Sequence, residues 1–115
     1  MHIVHICTFV FILATQLSDG DLGKLKVLLN HLAGYWKSIA DQLGMTSQVA
    51  NIRRNPDNVN PSDFLADLLN RWLNRKNPLP TLEALCQALS ADTEIIGGAN
   101  VASKLEETFK SRRGL

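Results

Sequence analysis

Apolar residues recur every three or four positions along most of the chain, and short breaks rich in glycine, proline or asparagine interrupt them. This spacing is typical of amphipathic α-helices, because it places the apolar side chains on one helix face. After Leu17 no stretch of strand length alternates between apolar and polar residues. The pattern predicts an all-α protein with several short helices around one core, and 115 residues suffice for one such domain.

The breaks divide the chain into six predicted helices. The first begins with Ser18 and Asp21, which have the spacing of a capping box, and we expect it to end at Gly34. We expect the second to end at Gly44, and Thr46 to cap a short third helix.

The fourth predicted helix has the clearest start in the chain. Asn60 is a favourable N-cap, Pro61 suits the first helical position, and Asp63 lies in the first turn, where the helix dipole favours an anion. A proline-rich break ends this helix, and Thr81 is predicted to cap the fifth. The sequence IIGGAN separates the fifth helix from the sixth.

Two tryptophans lie on apolar faces, Trp36 on the second predicted helix and Trp72 on the fourth. A stacking platform or an aromatic cage needs such rings beside basic residues on an exposed face, and these positions do not provide that. We therefore expect both rings to be buried. The predicted structural core consists of Trp36, Ile39, Leu43, Ile52, Leu68, Leu69, Trp72, Leu85 and Leu89.

The chain starts differently, because residues 2–14, HIVHICTFVFILA, are almost continuously apolar. This length is close to that of a signal-peptide core and too short to span a bilayer as a helix. No Lys or Arg precedes the segment and no small-x-small motif follows it, so we favour an extension or a packed extra element over a signal or membrane anchor. We expect residues 1–16 to lie outside a domain of residues 17–110, with residues 111–115 as a basic tail.

Charge and cysteine content weigh against several functions. Charged residues make up 20% of the chain and the net charge is +1, so no strong overall field attracts nucleic acid or a membrane. Cys7 and Cys86 lie far apart without CxxC spacing, which favours a reducing, cytoplasmic compartment. His2, His5 and Cys7 form only a loose group, so we expect no metal site.

The sequence contains no motif that indicates catalysis. It lacks a glycine-rich phosphate loop, GxSxG and HExxH. Cys86 lies on the apolar stripe of the fifth predicted helix, where it is interpreted as a small buried residue rather than a nucleophile. We expect no enzymatic activity, no cofactor and no small-molecule substrate.

The helical motifs of this chain follow one another in the order LAGYWKSIADQLGM, VANI, LADLLNRWL, NPLPTLEALCQAL and VASKLEETF. In that order and spacing, they resemble a death domain, the six-helix interaction module of apoptotic and innate-immune adaptors. The resemblance covers about residues 17–109. It implies a six-helix antiparallel bundle that assembles with other death domains, or with itself, through asymmetric contacts of three kinds.

The resemblance also implies that exposed charged residues form the contact surfaces. Arg53 and Arg54 are the strongest candidates, because two adjacent guanidinium groups cannot easily bind the same internal partner. The competing interpretation is an ordinary solvated surface. One candidate patch contains Lys37, Asp41, Arg53, Arg54 and Asp57, and the other contains Asp67, Arg71, Arg75 and Lys76.

An alternative interpretation is DNA binding. The stretch IADQLGMTSQVANIRRN can be read as a helix-turn-helix whose arginines enter a major groove. Ala40 and Gly44 have the four-residue offset of that motif, but Val49 and Ile52 fall one position early for a recognition helix. The near-neutral net charge also gives little counterion release, so protein is the favoured partner.

Overall fold

Residues 15–113, the part of the chain that the computed structural model describes, fold into six α-helices joined by short turns. The strand-like pairing within these residues is a single antiparallel bridge between Gln16 and Thr81. The predicted all-α fold is confirmed. The helices are α1 Leu22–Leu29, α2 Trp36–Gln42, α3 Val49–Arg54, α4 Pro61–Leu73, α5 Leu82–Ala91 and α6 Gly98–Thr108.

The connection from α1 to α2 differs from the prediction. After α1 ends, Asn30–Tyr35 forms a 3-10 helix that runs directly into α2. Gly34 lies inside this segment and lacks the positive φ of a glycine that ends a helix. The predicted stop at Gly34 is therefore wrong, because the neighbouring Leu32 and Ala33 are buried and their packing keeps the chain coiled.

The turn after α2 contains one confirmed prediction and one wrong prediction. Gly44 has a φ of 73° and, as expected, ends α2. Thr46 is not a cap but the first residue of a 3-10 helix, Thr46–Gln48, that leads into α3. Its hydroxyl donates to Asp41 Oδ1 at 2.8 Å, which ties the turn to α2.

Helices α4 and α5 begin where the sequence predicts. Asn60 Oδ1 accepts the N–H of Asp63 at 3.1 Å, and Asp63 Oδ2 accepts the N–H of Asn60 at 3.2 Å, with Pro61 at the start of the helix. Thr81 Oγ1 accepts the N–H of Ala84 at 3.1 Å. Each cap depends on residues within one turn, so local sequence is enough to predict it.

Helix α6 begins inside the predicted IIGGAN spacer. Gly97 has a φ of 85°, a left-handed conformation that L side chains rarely adopt, and it forms the turn before the helix. Gly98 is buried, and a Cβ atom there would overlap the carbonyl oxygen of Leu89. The two glycines thus permit a sharp turn and a close approach of α6 to α5.

The core lies around α4, which packs against α1, α2 and α3, while α5 packs against α2 and α6. Trp72 is fully buried, and the Trp36 ring stacks on Phe64 with 5.1 Å between ring centroids. The residues expected in the core are all buried, namely Trp36, Ile39, Leu43, Ile52, Leu68, Leu69, Trp72, Leu85 and Leu89.

The folded region extends past both expected domain limits, residues 17 and 110. At its start, the N–H of Leu82 donates to the carbonyl of Thr15 at 2.8 Å. At its end, Arg112 donates to both carboxylate oxygens of Asp21 at 2.8 and 2.9 Å, and its guanidinium lies 4.9 Å from the centroid of the Phe109 ring. Arg112, which the sequence analysis assigned to a basic tail of residues 111–115, is thus bound to the start of the folded region.

The apolar segment of residues 2–14 lies outside the described residues, and so do His2, His5 and Cys7. Among the helices of residues 15–113, none has the length and apolar character needed to cross a membrane.

Candidate interaction surface

Asp67 on α4 is the centre of a polar network that fixes the turn between α3 and α4. Its Oδ2 accepts hydrogen bonds from Asn58 Nδ2 at 2.8 Å and Asn55 Nδ2 at 3.2 Å. Its Oδ1 accepts the Nε–H of Arg71 at 2.8 Å in an ion pair one helical turn away. The other end of Arg71 donates to Gln48 Oε1 at 3.0 Å. We call Asn55, Asn58, Asp67 and Arg71 the α3–α4 corner.

The charges of Asp67 and Arg71 are used within the fold. Burial acts to raise the pKa of Asp67, but hydrogen bonds from Arg71, Asn58 and Asn55 outweigh it and hold that pKa below its ordinary value. Only 14% of the Asp67 side chain and 33% of the Arg71 side chain are exposed. Asp67 and Arg71, which were expected in a contact patch, are therefore already paired with each other within the fold.

Arg75, another residue of the expected patches, also bonds within the fold, because its guanidinium holds the α4–α5 loop against the end of α2. Its Nη1 donates to the carbonyl of Leu43 at 2.7 Å, and its Nε donates to the carbonyl of Pro78 at 2.8 Å. Burial lowers the pKa of Arg75, but an arginine in a protein stays protonated. Because both acceptors are neutral carbonyls, its positive charge is not cancelled.

The remaining patch residues lie on the surface. The side chains of Lys37, Arg53 and Lys76 make no hydrogen bond or ion pair within residues 15–113. Arg54 bonds locally within its own helix, where its Nε donates to the carbonyl of Ala50 at 3.3 Å. The exposed members of the two expected patches are Lys37, Asp41, Arg53, Arg54, Asp57 and Lys76.

The position of the two adjacent arginines does not favour the DNA-binding interpretation. Arg53 and Arg54 are the last two residues of α3, which is six residues long. A recognition helix contacts base edges mainly through residues near its N-terminus. The arginines therefore lie at the less suitable end of a very short helix.

Two loops, one at each end of α5, expose aliphatic residues that the sequence analysis missed. Leu79 in the α4–α5 loop is 49% exposed, and Ile96 in the α5–α6 loop is 72% exposed. Leu79 follows Pro78, and the carbonyl of Pro78 accepts a hydrogen bond from Arg75. Ile96 follows the buried Ile95, so the two isoleucines have opposite environments. The backbone thus presents both aliphatic residues to solvent from structured loops.

The charges around these two residues have opposite signs. Every charged residue from position 68 to position 82 is basic, whereas every charged residue from position 83 to position 103 is acidic. This division was visible in the sequence, but the exposure of the aliphatic residues was not. We call Arg75, Lys76 and Leu79 the basic corner, and Asp92, Glu94 and Ile96 the acidic corner.

Helix α5 separates the basic corner from the acidic corner. It is ten residues long, which corresponds to about 15 Å at the rise of an α-helix. The two corners of one molecule therefore cannot touch each other. The basic corner of one molecule can, however, contact the acidic corner of another molecule.

The described residues show no arrangement typical of a metal site. Within residues 15–113 no group of three or more His, Cys, Asp and Glu side chains is placed to hold a metal ion. Cys86 is buried, and its Sγ donates to the carbonyl of Ala102 at 3.5 Å, in agreement with its interpretation as a core residue. His31 is exposed.

A comparison with protein families gives one match. The sequence model of the death domain matches residues 22–108, which is more than half of the chain. The matched range contains all six α-helices and both corners, but not Thr15–Leu17 or Arg112. Neither the curated proteins nor the solved structures that were searched gave a match.

Proposed function

This chain belongs to the death domain family, and we propose that it is a non-enzymatic adaptor that assembles with other death domains, including copies of itself. Death domains are protein-interaction modules. We propose that it acts in the cytoplasm, in apoptotic or innate-immune signalling. Its function is to bind other proteins, without catalysis. It needs no cofactor and no small-molecule substrate for that work.

The observation that carries this proposal is the opposite charge of the two corners. The basic corner contains the exposed Leu79 three residues after the exposed Lys76, and the acidic corner contains the exposed Ile96 two residues after the exposed Glu94. Contact between them would bury two aliphatic side chains and bring opposite charges together, which combines apolar burial with electrostatic guidance.

Such a contact is heterologous, because it joins two different surfaces. A heterologous contact leaves one unused basic corner and one unused acidic corner on every pair of molecules. Further copies can therefore add at both ends. This is the geometry of a growing oligomer and suits a module that acts as a scaffold.

Arg53, Arg54 and Asp57 provide a second contact surface in this proposal. All three are exposed, and they adjoin the α3–α4 corner, whose hydrogen bonds keep the backbone in place. Lys37 and Asp41, which are also exposed, extend the charged surface on α2. The mixed signs allow pairing with a similar mixed surface on another death domain.

Light scattering coupled to size exclusion of the full chain tests the proposal over ranges of protein and salt concentration. We expect complexes larger than a monomer at low salt and fewer of them at high salt, because screening weakens contacts between exposed charges. A fluorescent DNA pool serves as a parallel titrant. A strict monomer that binds DNA and no death domain would overturn the proposal.

The variant Leu79→Asp tests the role of the basic corner in self-association, and Val27→Asp is its control. Both replace an exposed aliphatic residue with the same acid, since Val27 is 77% exposed on α1. We expect Leu79→Asp to weaken self-association at least about tenfold, equivalent to losing roughly 1.4 kcal/mol of contact. The Val27→Asp control should associate like the unmodified chain.

A further inference from the structure

A short extended segment runs antiparallel to the end of the α4–α5 loop. The N–H of Leu17 donates to the carbonyl of Pro80 at 3.0 Å, and the N–H of Leu82 donates to the carbonyl of Thr15 at 2.8 Å. Between these two bonds Gln16 faces Thr81 as an antiparallel bridge. We call Thr15–Leu17 the strap.

The strap is attached at both of its ends. Leu17 is 1% exposed and belongs to the hydrophobic core. The N–H of Thr15 donates to Glu83 Oε1 on the first turn of α5 at 2.8 Å. The strap therefore links the core to the start of α5 and crosses the loop between them.

The strap and Arg75 hold the same loop from two positions. Arg75 binds the carbonyl of Pro78, and Leu17 binds the carbonyl of Pro80. Leu79, the aliphatic residue of the basic corner, lies between these two carbonyls. Its backbone position therefore depends on the strap as well as on Arg75.

We propose that the strap controls self-assembly by holding the basic corner in the conformation that binds the acidic corner of a second copy. This inference rests on the proposed function. The strap lies outside the range that matches the death domain, residues 22–108, so it adds a control to the matched domain from a neighbouring segment. Release of the strap removes the hydrogen bond to Pro80 at the end of the loop and the one from Leu82 at the start of α5. Leu79 can then leave the binding conformation, which lowers the fraction of competent molecules.

A disulfide that can be opened tests this control within one protein. Gln16 and Thr81 form the pair without mutual hydrogen bonds in the bridge, where Cα atoms are about 4.5 Å apart, within the range of a disulfide. The full chain carries Gln16→Cys and Thr81→Cys, with Thr15→Gly to loosen the strap by adding backbone freedom. Cys7→Ser and Cys86→Ala prevent other pairings.

The reduced form of this variant has a loose strap and the oxidised form has a locked one, so the sequence is the same in both. Both forms also lack the Thr81 cap of α5, so the loss of that cap does not contribute to the difference between them. We expect the oxidised form to self-associate about five to ten times more tightly than the reduced form, because locking restores the competent fraction. Amide exchange should show a faster-exchanging Leu82 N–H in the reduced form.

Equal self-association of the two forms would overturn the proposal, and so would equal exchange of the Leu82 amide. Failure of the proposed function looks different. If the proposed function is wrong, the unmodified chain stays monomeric at all concentrations. The strap then has no self-assembly to control, so this result rejects both proposals.

Discussion

The α3–α4 corner meets α4 along its second half, and the basic corner begins just after this helix ends, but the two corners use their arginines differently. In the α3–α4 corner, Arg71 pairs with the carboxylate of Asp67, and two asparagines complete the network. In the basic corner, Arg75 binds the carbonyls of Leu43 and Pro78. One corner neutralises its charge internally, and the other leaves it available to a partner.

Helical spacing explains this difference. Asp67 lies four residues before Arg71, the separation at which an acid and a base meet on one helix face. Four residues before Arg75 is another arginine, and four residues after it is Leu79. A count of charged residues therefore does not identify a contact surface, because the nearest possible partner of each charge decides whether the fold uses it.

Trp72→Ala should have the largest effect, because Trp72 is among the largest fully buried side chains of the core. The indole Nε1 has no hydrogen-bond partner within residues 15–113, so the loss comes from the cavity and from lost burial. We expect the free energy of unfolding to fall by about 3 to 5 kcal/mol. Urea denaturation measures this, and a loss below about 1 kcal/mol would contradict the core role of Trp72.

Asp67→Ala should destabilise the α3–α4 corner by about 2 kcal/mol, since it removes charge-assisted hydrogen bonds and leaves Arg71 without its acid. Self-association of the folded fraction should weaken no more than in the Arg53→Glu, Arg54→Glu variant described below, because the basic corner is intact. Asp57→Ala is the control, because the exposed Asp57 side chain has no partner within the described residues and should change stability by less than about 0.5 kcal/mol. If Asp67→Ala weakened self-association and left the free energy of unfolding unchanged, the α3–α4 corner would be a contact surface rather than a structural network.

Acid should weaken the internal ion pairs before it affects the basic corner. The hydrogen bonds of Arg112 outweigh burial and lower the pKa of Asp21, and the pKa of Asp67 is also lowered. Both carboxyls therefore contribute stability that is complete above their ordinary pKa of 3.8 and is lost as pH falls through it toward the lower folded values. Urea denaturation at pH 7 and pH 3 should show this loss. A variant with Asp21→Asn and Asp67→Asn should show a smaller difference between the two pH values, and an equal difference would contradict this assignment.

Arg53→Glu with Arg54→Glu should have the smallest effect. We expect self-association at low salt to weaken about three- to fivefold with stability within about 0.5 kcal/mol, because both residues are exposed. Lys26→Glu with Lys104→Glu is the control, since it makes the same change in net charge at two other exposed sites. Sedimentation velocity compares the two variants, and equal weakening would assign the effect to net charge rather than to the arginine surface.

The parts of the fold that depend on neighbouring residues could be predicted from the sequence. Asn60 with Asp63, and Thr81 with Ala84, form their caps within one turn. The predicted stop at Gly34 was wrong because burial of Leu32 and Ala33 outweighs the preference of one glycine.

The parts that depend on distant residues could not be predicted in this way. Arg112 and Asp21 are 91 positions apart, and nothing in either neighbourhood indicates that they pair. The exposure of Leu79 likewise follows from Arg75 and the strap, which hold the loop by its carbonyl groups. The opposite charges of the two corners were visible in the sequence. That α5 separates the two corners is known only from the structure.

Mixing two blocked variants tests the pairing of the corners most directly. One variant carries Lys76→Glu and Leu79→Asp and keeps its acidic corner. The other carries Glu94→Gln and Ile96→Asn, which remove charge and apolar area without adding a new charge, and keeps its basic corner. Sedimentation velocity should show each variant alone as a monomer under conditions in which the unmodified chain assembles. The equimolar mixture should form a one-to-one complex that grows no further, whereas a mixture that stays monomeric would contradict the pairing.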